Sequence, residues 1–480
     1  MKQITTTIFC AVLSISTVVF ADIDSDVNAV LADKLLAKST VGVEIVALGD
    51  SPADSRVLLR RGAATPLIPA SNLKLITTAA AVEKFGAGFR FETRFVKHGQ
   101  NVIVVGDGDP TLGDTDLIKK FGQGSTSVFT AWAAALKDSG TISVQDVIVD
   151  DSIFDGQFVH PNWPEDQRHL RYVAGVAGLN LNANCLDFYL SGTSPGARVN
   201  YRIDPPTQYV QVENNCITRS GDSAVSLLLD PETKRLLLRG YSPGSTVAVS
   251  VTVDDPSLYA ATVLKEQLAQ AGITVNGTVR REHGARAALA AGSPDYTVVS
   301  RYVTSIEYVL DRANKDSVNL YAEALCKRLG FADTNAPGSW VNGPAAMGKF
   351  LSSVGVPPDQ YTFDDGCGLS KQNAISAGAI SAVLQHMYFS PNRQAFLSSL
   401  SVAGVDGTLD SRFRGSDLRN RVFAKSGFVN GVSTLSGYFM GKDDRWYAFS
   451  ILMNGIPNKS NSSIKPLQER IVKAADDLTR

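Results

Sequence analysis

Three short stretches of this chain hold residue types that can do chemistry together. The first is Ser71-Asn72-Leu73-Lys74. A hydroxyl and an amine three residues apart share one face of a helix. The amine can take the hydroxyl proton, and a helix N-terminus favours the negative charge that then develops. The second is Ser317-Val318-Asn319. There a hydroxyl can relay a proton, and an amide two residues on can hold a substrate backbone. The third is Lys425-Ser426-Gly427. Its ammonium and hydroxyl can grip a carboxylate, and its glycine leaves room for a peptide beside a strand. The first two spacings recur in Ser462-Ser463-Ile464-Lys465 and Ser390-Pro391-Asn392, whereas Lys-Ser/Thr-Gly occurs only at Lys425.

The elements around these stretches must position them. Pro69, with Ser71 or Asn72 as cap, predicts a helix start, and Gly86 predicts its end. An apolar strand leads into Lys425, and residues 422–424, 434–440 and 446–453 read as three consecutive antiparallel strands, followed by a helix over 462–478. Residues 305–329 carry a helical pattern around Ser317 and Asn319. The N-terminal part reads as a helix over 22–37 and strands over 41–48 and 56–60. Between these parts, residues 179–253 form a run of short β segments separated by turn residues, which predicts a small all-β module. Chemistry-bearing residues on both sides of this middle region favour one catalytic domain into which the middle is inserted.

Composition narrows the class. With 480 residues the chain is long enough for two to four domains, at roughly 100–200 residues each. Its 44% hydrophobic and 19% charged residues are those of an ordinary globular protein. A formal net charge of -1 excludes a broad basic surface for nucleic acid. Met1-Lys2, an apolar run over residues 4–20 and Ala21 read as a signal peptide cleaved after Ala21. No later stretch is long and apolar enough to span a bilayer, so no transmembrane anchor is expected after cleavage. Cys185, Cys216, Cys326 and Cys367 remain, and export permits disulfides. Cys185 and Cys216 flank strands of one region and are the preferred pair, with Cys326 and Cys367 reduced. The spacings match no zinc site.

Taken in order, the three stretches form the set known from β-lactamases and penicillin-binding proteins. Ser426 replaces the usual Thr and keeps the hydroxyl. Val318 replaces the usual Asp at a position that need not touch substrate. The chain resembles the class C low-molecular-mass penicillin-binding proteins, the penicillin-binding protein 4 type of D-alanyl-D-alanine carboxypeptidase/endopeptidase, over nearly its whole length. Further matching blocks are Gly106-Asp107-Gly108-Asp109-Pro110-Thr111-Leu112, Val149-Asp150-Asp151-Ser152-Ile153-Phe154-Asp155, Asp365-Gly366-Cys367-Gly368-Leu369-Ser370 and Gly404-Val405-Asp406-Gly407-Thr408-Leu409. Cys367 stands where the family usually has Ser.

The resemblance implies an α+β fold: a transpeptidase or serine β-lactamase-like domain, an antiparallel sheet with covering helices, interrupted by two smaller β-rich domains. It implies a catalytic domain over 22–88 and 298–480, a second domain over 89–178 and 254–297, and an all-β third over 179–253. It also implies roles. Ser71 is the nucleophile and Lys74 its base, which must be neutral; burial and the charge of Lys425 would lower its pKa. Ser317 passes the proton to the leaving amine, and Asn319 holds the substrate amide or tunes Lys74. Lys425 and Ser426 face the terminal carboxylate beside Gly427. The backbone N–H groups of Ser71 and Phe428 form the oxyanion hole. Asp166 would meet the free amine of a diaminopimelate side chain, where the bland reading is a solvated loop carboxylate. For Asp109 turn chemistry is expected, and for Glu323 a structural partner.

The expected partners are peptidoglycan stem peptides, their cross-links and β-lactams, in the periplasm, with no metal or organic cofactor. Three rival readings remain, and the Lys425 carboxylate grip disfavours one of them, a D-amino-acid esterase or amidase acting on substrates without a free terminal carboxylate. A β-lactamase on the same fold would need a motif for rapid deacylation, and none is seen. A non-catalytic wall-binding scaffold would have no need of Ser71, Lys74, Ser317, Asn319 and Lys425 together.

Overall fold

Strands Val422–Val429, Val432–Met440 and Trp446–Asn454 form the antiparallel meander that the tail sequence predicts. The computed structural model describes residues 23–457 and 461–479, so the expected signal peptide over 1–21 lies outside the described residues. Two units divide the chain: Met1–Lys84 with Asp311–Ser317 and Met347–Arg480, and Phe85–Leu310 with Val318–Ala346.

In the first unit the meander joins Thr40–Ala47 and Arg56–Arg61 on one side and the two-residue strand Ser401–Val402 on the other, giving a six-stranded antiparallel sheet. Nearly every residue of Val432–Met440 and Trp446–Asn454 is buried, so both faces are covered. Side chains alternate across the sheet. Leu435 and Phe439 face one way, into a core that Ile464, Leu467, Ile471, Val472 and Ala475 of helix Asn461–Asp477 complete at helical spacing. Burial of each large aliphatic side chain there stabilises by about 1.5–3 kcal/mol. Thr434, Ser436 and Tyr438 face the other way, where the Tyr438 hydroxyl donates to the Leu384 carbonyl of helix Ala377–Phe389 at 2.7 Å. Helix Leu73–Phe85 is buried from Leu73 through Val82, Lys74 included.

The second unit is built on a five-stranded mixed sheet in the order Val279–Arg281, Val147–Asp150, Asn101–Val105, Arg90–His98, Tyr296–Ser305. Helices Ser127–Asp138 and Pro256–Gln270 pack Trp132, Leu136, Tyr259 and Leu264 into its main core. The β-rich stretch forms two three-stranded sheets. Gln211–Thr218, Ala224–Leu229 and Arg235–Ser242 make one; Cys185–Ser191, Asn200–Asp204 and Val247–Thr252 make the other.

One expectation is sharpened and one corrected. The helical pattern over 305–329 is two helices, Ile306–Asn314 and Asn319–Thr334, and the break holds Ser317 at φ +59°. Cys185 and Cys216 form no bridge, and none of the four buried cysteines described is in a disulfide. The two sit in strands of different sheets, and the packing of those sheets does not bring their sulfurs to bonding distance. Burial pushes the Cys185 thiol up to about 12.

Candidate active site

The chain reaches Ser71 through a tight 3-10 turn, Ala70–Asn72, that leads directly into helix Leu73–Phe85. No side chain caps this turn, so the expected capping by Ser71 or Asn72 does not occur. Freed from that duty, the Ser71 hydroxyl accepts from Lys74 Nζ at 3.1 Å. Lys74 Nζ also donates to the Cys367 carbonyl at 2.9 Å. The loop that presents this carbonyl is organised by buried Asp365, which accepts from Gly368 N (2.8 Å), Ser370 N (2.7 Å) and Asn373 Nδ2 (2.8 Å). Gly368 holds φ +84°, and a Cβ there would lie 1.9 Å from the Ala70 carbonyl oxygen, so the loop can pack under Ser71 only with glycine at this point. What meets Lys74 is the Cys367 backbone, which any residue supplies. The Cys367 thiol lies 3.8 Å from Asp365 Oδ2.

Ser317 is held from behind. Asn314 Nδ2 donates to Thr78 Oγ1 (3.1 Å) and Ser399 Oγ (2.9 Å). Lys315 pairs with Asp406 at 2.7 Å, and its carbonyl accepts from Thr408 N at 3.0 Å. A Cβ on Gly407 would lie 2.6 Å from that carbonyl. The block 404–409 is therefore a latch for the segment that ends in Ser317.

From this latched segment the Ser317 hydroxyl accepts from Lys425 Nζ at 2.9 Å, and Lys425 Nζ also donates to the Ser426 carbonyl at 2.8 Å. Lys425 is fully buried. Burial, then the nearby charge of Lys74, hold its pKa well below the usual lysine value, with Asp316 opposing them. Strand Val422–Val429 pairs along its length with Val432–Met440, but on its other side with Ser401–Val402 only as far as Ala424. Among the described residues, no strand covers that edge from Lys425 onward. Gly427 borders it, where a Cβ would lie 2.9 Å from Ser71 N. Phe428, next along, is about half exposed (49%).

Asn319 and Asp166 belong to the second unit. Asn319 opens helix Asn319–Thr334, and its Nδ2 donates to the Tyr172 carbonyl at 2.8 Å. Asp166 is exposed on the turn Glu165–Gln167, and its charge adds to the burial that raises the Tyr172 phenol. Glu323 accepts from Trp340 Nε1 at 2.7 Å, as a structural partner would. Asp109 accepts from Thr111 N and Oγ1, an Asx turn. Its other oxygen is buried without a partner, and burial pushes its pKa up to about 6.

Residues 23–478 match the D-Ala-D-Ala carboxypeptidase 3 (S13) family. The chain belongs to this family. It is a serine peptidase. A D-alanyl-D-alanine carboxypeptidase of Actinomadura sp. is 30% identical over 460 residues, covering 90% of this chain and 81% of that protein. A D-alanyl-D-alanine carboxypeptidase of Haemophilus influenzae is 26% identical over 473 residues, covering 93% and 91%. The crystal structure of penicillin binding protein 4 from Haemophilus influenzae superposes with a TM-score of 0.76 at 23% identity, covering 95% of this chain and 99% of that one. A second structure of that protein, complexed with a β-lactam, gives 0.70. The α+β architecture expected from the resemblance is the family's fold.

Sequence reasoning did not single out Asp365, Asn314 or the Lys315–Asp406 pair. Asp365, Asp406 and Gly407 lie in blocks that the resemblance marks, but what those blocks brace is set by the fold.

Proposed function

We propose that this S13-family peptidase is an exported DD-peptidase that cleaves D-Ala-D-Ala termini, and D-Ala–diamino-acid cross-links of peptidoglycan, through an ester on Ser71. The observation that carries the reading is the pair of lysine–serine contacts, Lys74–Ser71 at 3.1 Å and Lys425–Ser317 at 2.9 Å, beside an open strand edge. In this reading Lys74 takes the Ser71 proton as Oγ attacks the penultimate D-alanine carbonyl. Ser71 and Phe428 N–H groups receive the oxyanion; losing one such donor typically costs about 10²–10³ in rate. Ser317 delivers a proton to the departing amine, and Lys425 keeps the Ser317 oxygen in place. Water then attacks the ester and frees Ser71.

The peptide would add to the edge beyond Ala424 as an extended strand, its terminal carboxylate toward Lys425 and Ser426, with Gly427 giving it room. Asn319 would hold its backbone amide, and Asp166 the amine of a diaminopimelate side chain. β-Lactams would acylate the same serine; the Haemophilus influenzae protein of this fold has been solved with one. Export rests on the signal-like residues 1–21, and in this reading the mature enzyme works in the periplasm.

The test is incubation of the mature protein with labelled penicillin and with a D-Ala-D-Ala peptide, then mass spectrometry of the peptide containing Ser71. The reading requires a lasting adduct on Ser71, absent in Ser71→Ala, together with release of D-alanine. Rapid penicillin turnover without a lasting adduct supports a β-lactamase instead. Neither adduct nor turnover, with no D-alanine released, leaves a wall-binding scaffold.

A further inference from the structure

The residue after the expected nucleophile is Asn72, fully buried in a turn that it does not cap. Its amide reaches across to the strand pair that carries Lys425. The oxygen and nitrogen ends are assigned by the network that satisfies both. In that orientation the nitrogen donates to the Lys425 carbonyl (2.8 Å) and Thr434 Oγ1 (3.0 Å), while the oxygen accepts from Ser436 N (3.1 Å) and Ser436 Oγ (2.7 Å). The neighbouring Thr434 bond agrees with it: Thr434 Oγ1 donates its own proton to the Pro69 carbonyl at 2.9 Å, which leaves its oxygen to accept from Asn72. Lys425 and Ser436 face each other directly in the ladder between Val422–Val429 and Val432–Met440. One side chain therefore touches a backbone atom of both.

We propose that Asn72 is a positioning residue that locks the Ser71 turn to the Lys425–Ser436 rung of the sheet. The lock sets where the nucleophile stands relative to the Lys425 ammonium and the substrate-binding edge. The inference rests on the DD-peptidase reading above. A helix start alone would need none of these contacts, and a capping residue would turn its side chain to the helix N–H groups instead. The geometry is demanding, because a displacement of about 1 Å between reacting groups can cost about a hundredfold in rate. A buried amide with all four of its bonds made is a rigid way to prevent it.

The experiment measures acylation by labelled penicillin in rapid mixing for the unchanged protein, Asn72→Ala, Ser436→Ala and the double variant. Each rate at saturation is divided by the number of Ser71 sites that can be titrated, so misfolded protein does not count. Asn72→Ala should lower this rate about tenfold to a hundredfold, with the half-saturating concentration unchanged within about threefold. Ser436→Ala should lower it less, and the two changes should be less than additive because they cut one network. A per-site rate within about twofold of the unchanged protein, with the loss seen only as fewer titratable sites, overturns the proposal: Asn72 then serves the fold alone. A raised half-saturating concentration at unchanged rate overturns it as well. If the unchanged protein is not acylated, the DD-peptidase reading fails and this role with it. If it is acylated and Asn72→Ala matches it, this role alone fails.

Discussion

The Lys425 ammonium donates to the Ser317 hydroxyl across 2.9 Å, although the two residues stand 108 positions apart in the chain. The contact leaves the hydroxyl's own proton free to go elsewhere, which is what a relay to a leaving amine requires. Ser317→Ala should lower kcat/KM for a D-Ala-D-Ala peptide by about 10²–10⁴-fold. Lys425→Ala should fall at least as far and also raise KM, because the carboxylate grip goes with it. Steady-state kinetics of the two variants check this; a Lys425→Ala enzyme with unchanged KM would remove the carboxylate role.

Lys74 donates to Ser71 from full burial. Lys74→Arg keeps the charge but cannot give up its proton, so it cannot serve as a base. Acylation of Ser71 should fall by at least about 10²-fold in that variant. Penicillin labelling followed over time reads the result, and a labelled Lys74→Arg protein at the normal rate would rule out the base role.

Cys367 meets Lys74 through its carbonyl at 2.9 Å, while its thiol lies 3.8 Å from Asp365. Cys367→Ser preserves the first contact. Its kcat should stay within about threefold of the unchanged enzyme, as for a buried substitution of similar volume. A larger loss would show that the thiol itself takes part.

Gly427 lies so close to the Ser71 turn that an added Cβ would sit 2.3 Å from Thr434 Oγ1 and 2.9 Å from Ser71 N. Gly427→Val should abolish acylation, since its side chain would push the Ser71 turn away from the strand. Circular dichroism and penicillin labelling together decide the matter. Normal labelling would mean that the edge and the turn can separate freely.

Asp109 carries a pH dependence unrelated to catalysis. Its folded pKa is about 6 against an ordinary 3.8, chiefly from burial. A group raised in the fold contributes its stability fully below the unfolded value and loses it as pH rises through the folded one. Across pH 4 to 6 this one carboxyl should therefore destabilise the fold by roughly 2 kcal/mol. Asp109→Asn should remove that slope and keep the Thr111 contacts. Urea unfolding at the two ends of the range reads it; an unchanged slope would locate the titration elsewhere.

Strand patterns over the tail, the β-rich middle and most helices were readable because local periodicity reports which face of an element is buried. Where the helical pattern over 305–329 breaks was not, since the pattern continues across Ser317. That break depends on contacts from Asp406, Thr408 and Thr78, which periodicity does not record. The cysteine pairing failed for a related reason: closeness in sequence does not say which side chains of two packed sheets meet.

The sequence by itself determined the chemistry available. Ser71, Lys74, Ser317, Asn319 and Lys425 could be named from residue type, spacing and order, because covalent neighbours and short motifs are local properties. The tertiary structure alone decided how Ser71, Lys74, Ser317 and Lys425 meet: which carbonyl receives Lys74, which hydroxyl receives Lys425, and that Asn72 faces a strand and not its own helix. These depend on buried polar groups finding partners hundreds of residues away. An unpaired buried donor costs about 1–3 kcal/mol, so packing settles such pairings only when the whole chain is folded.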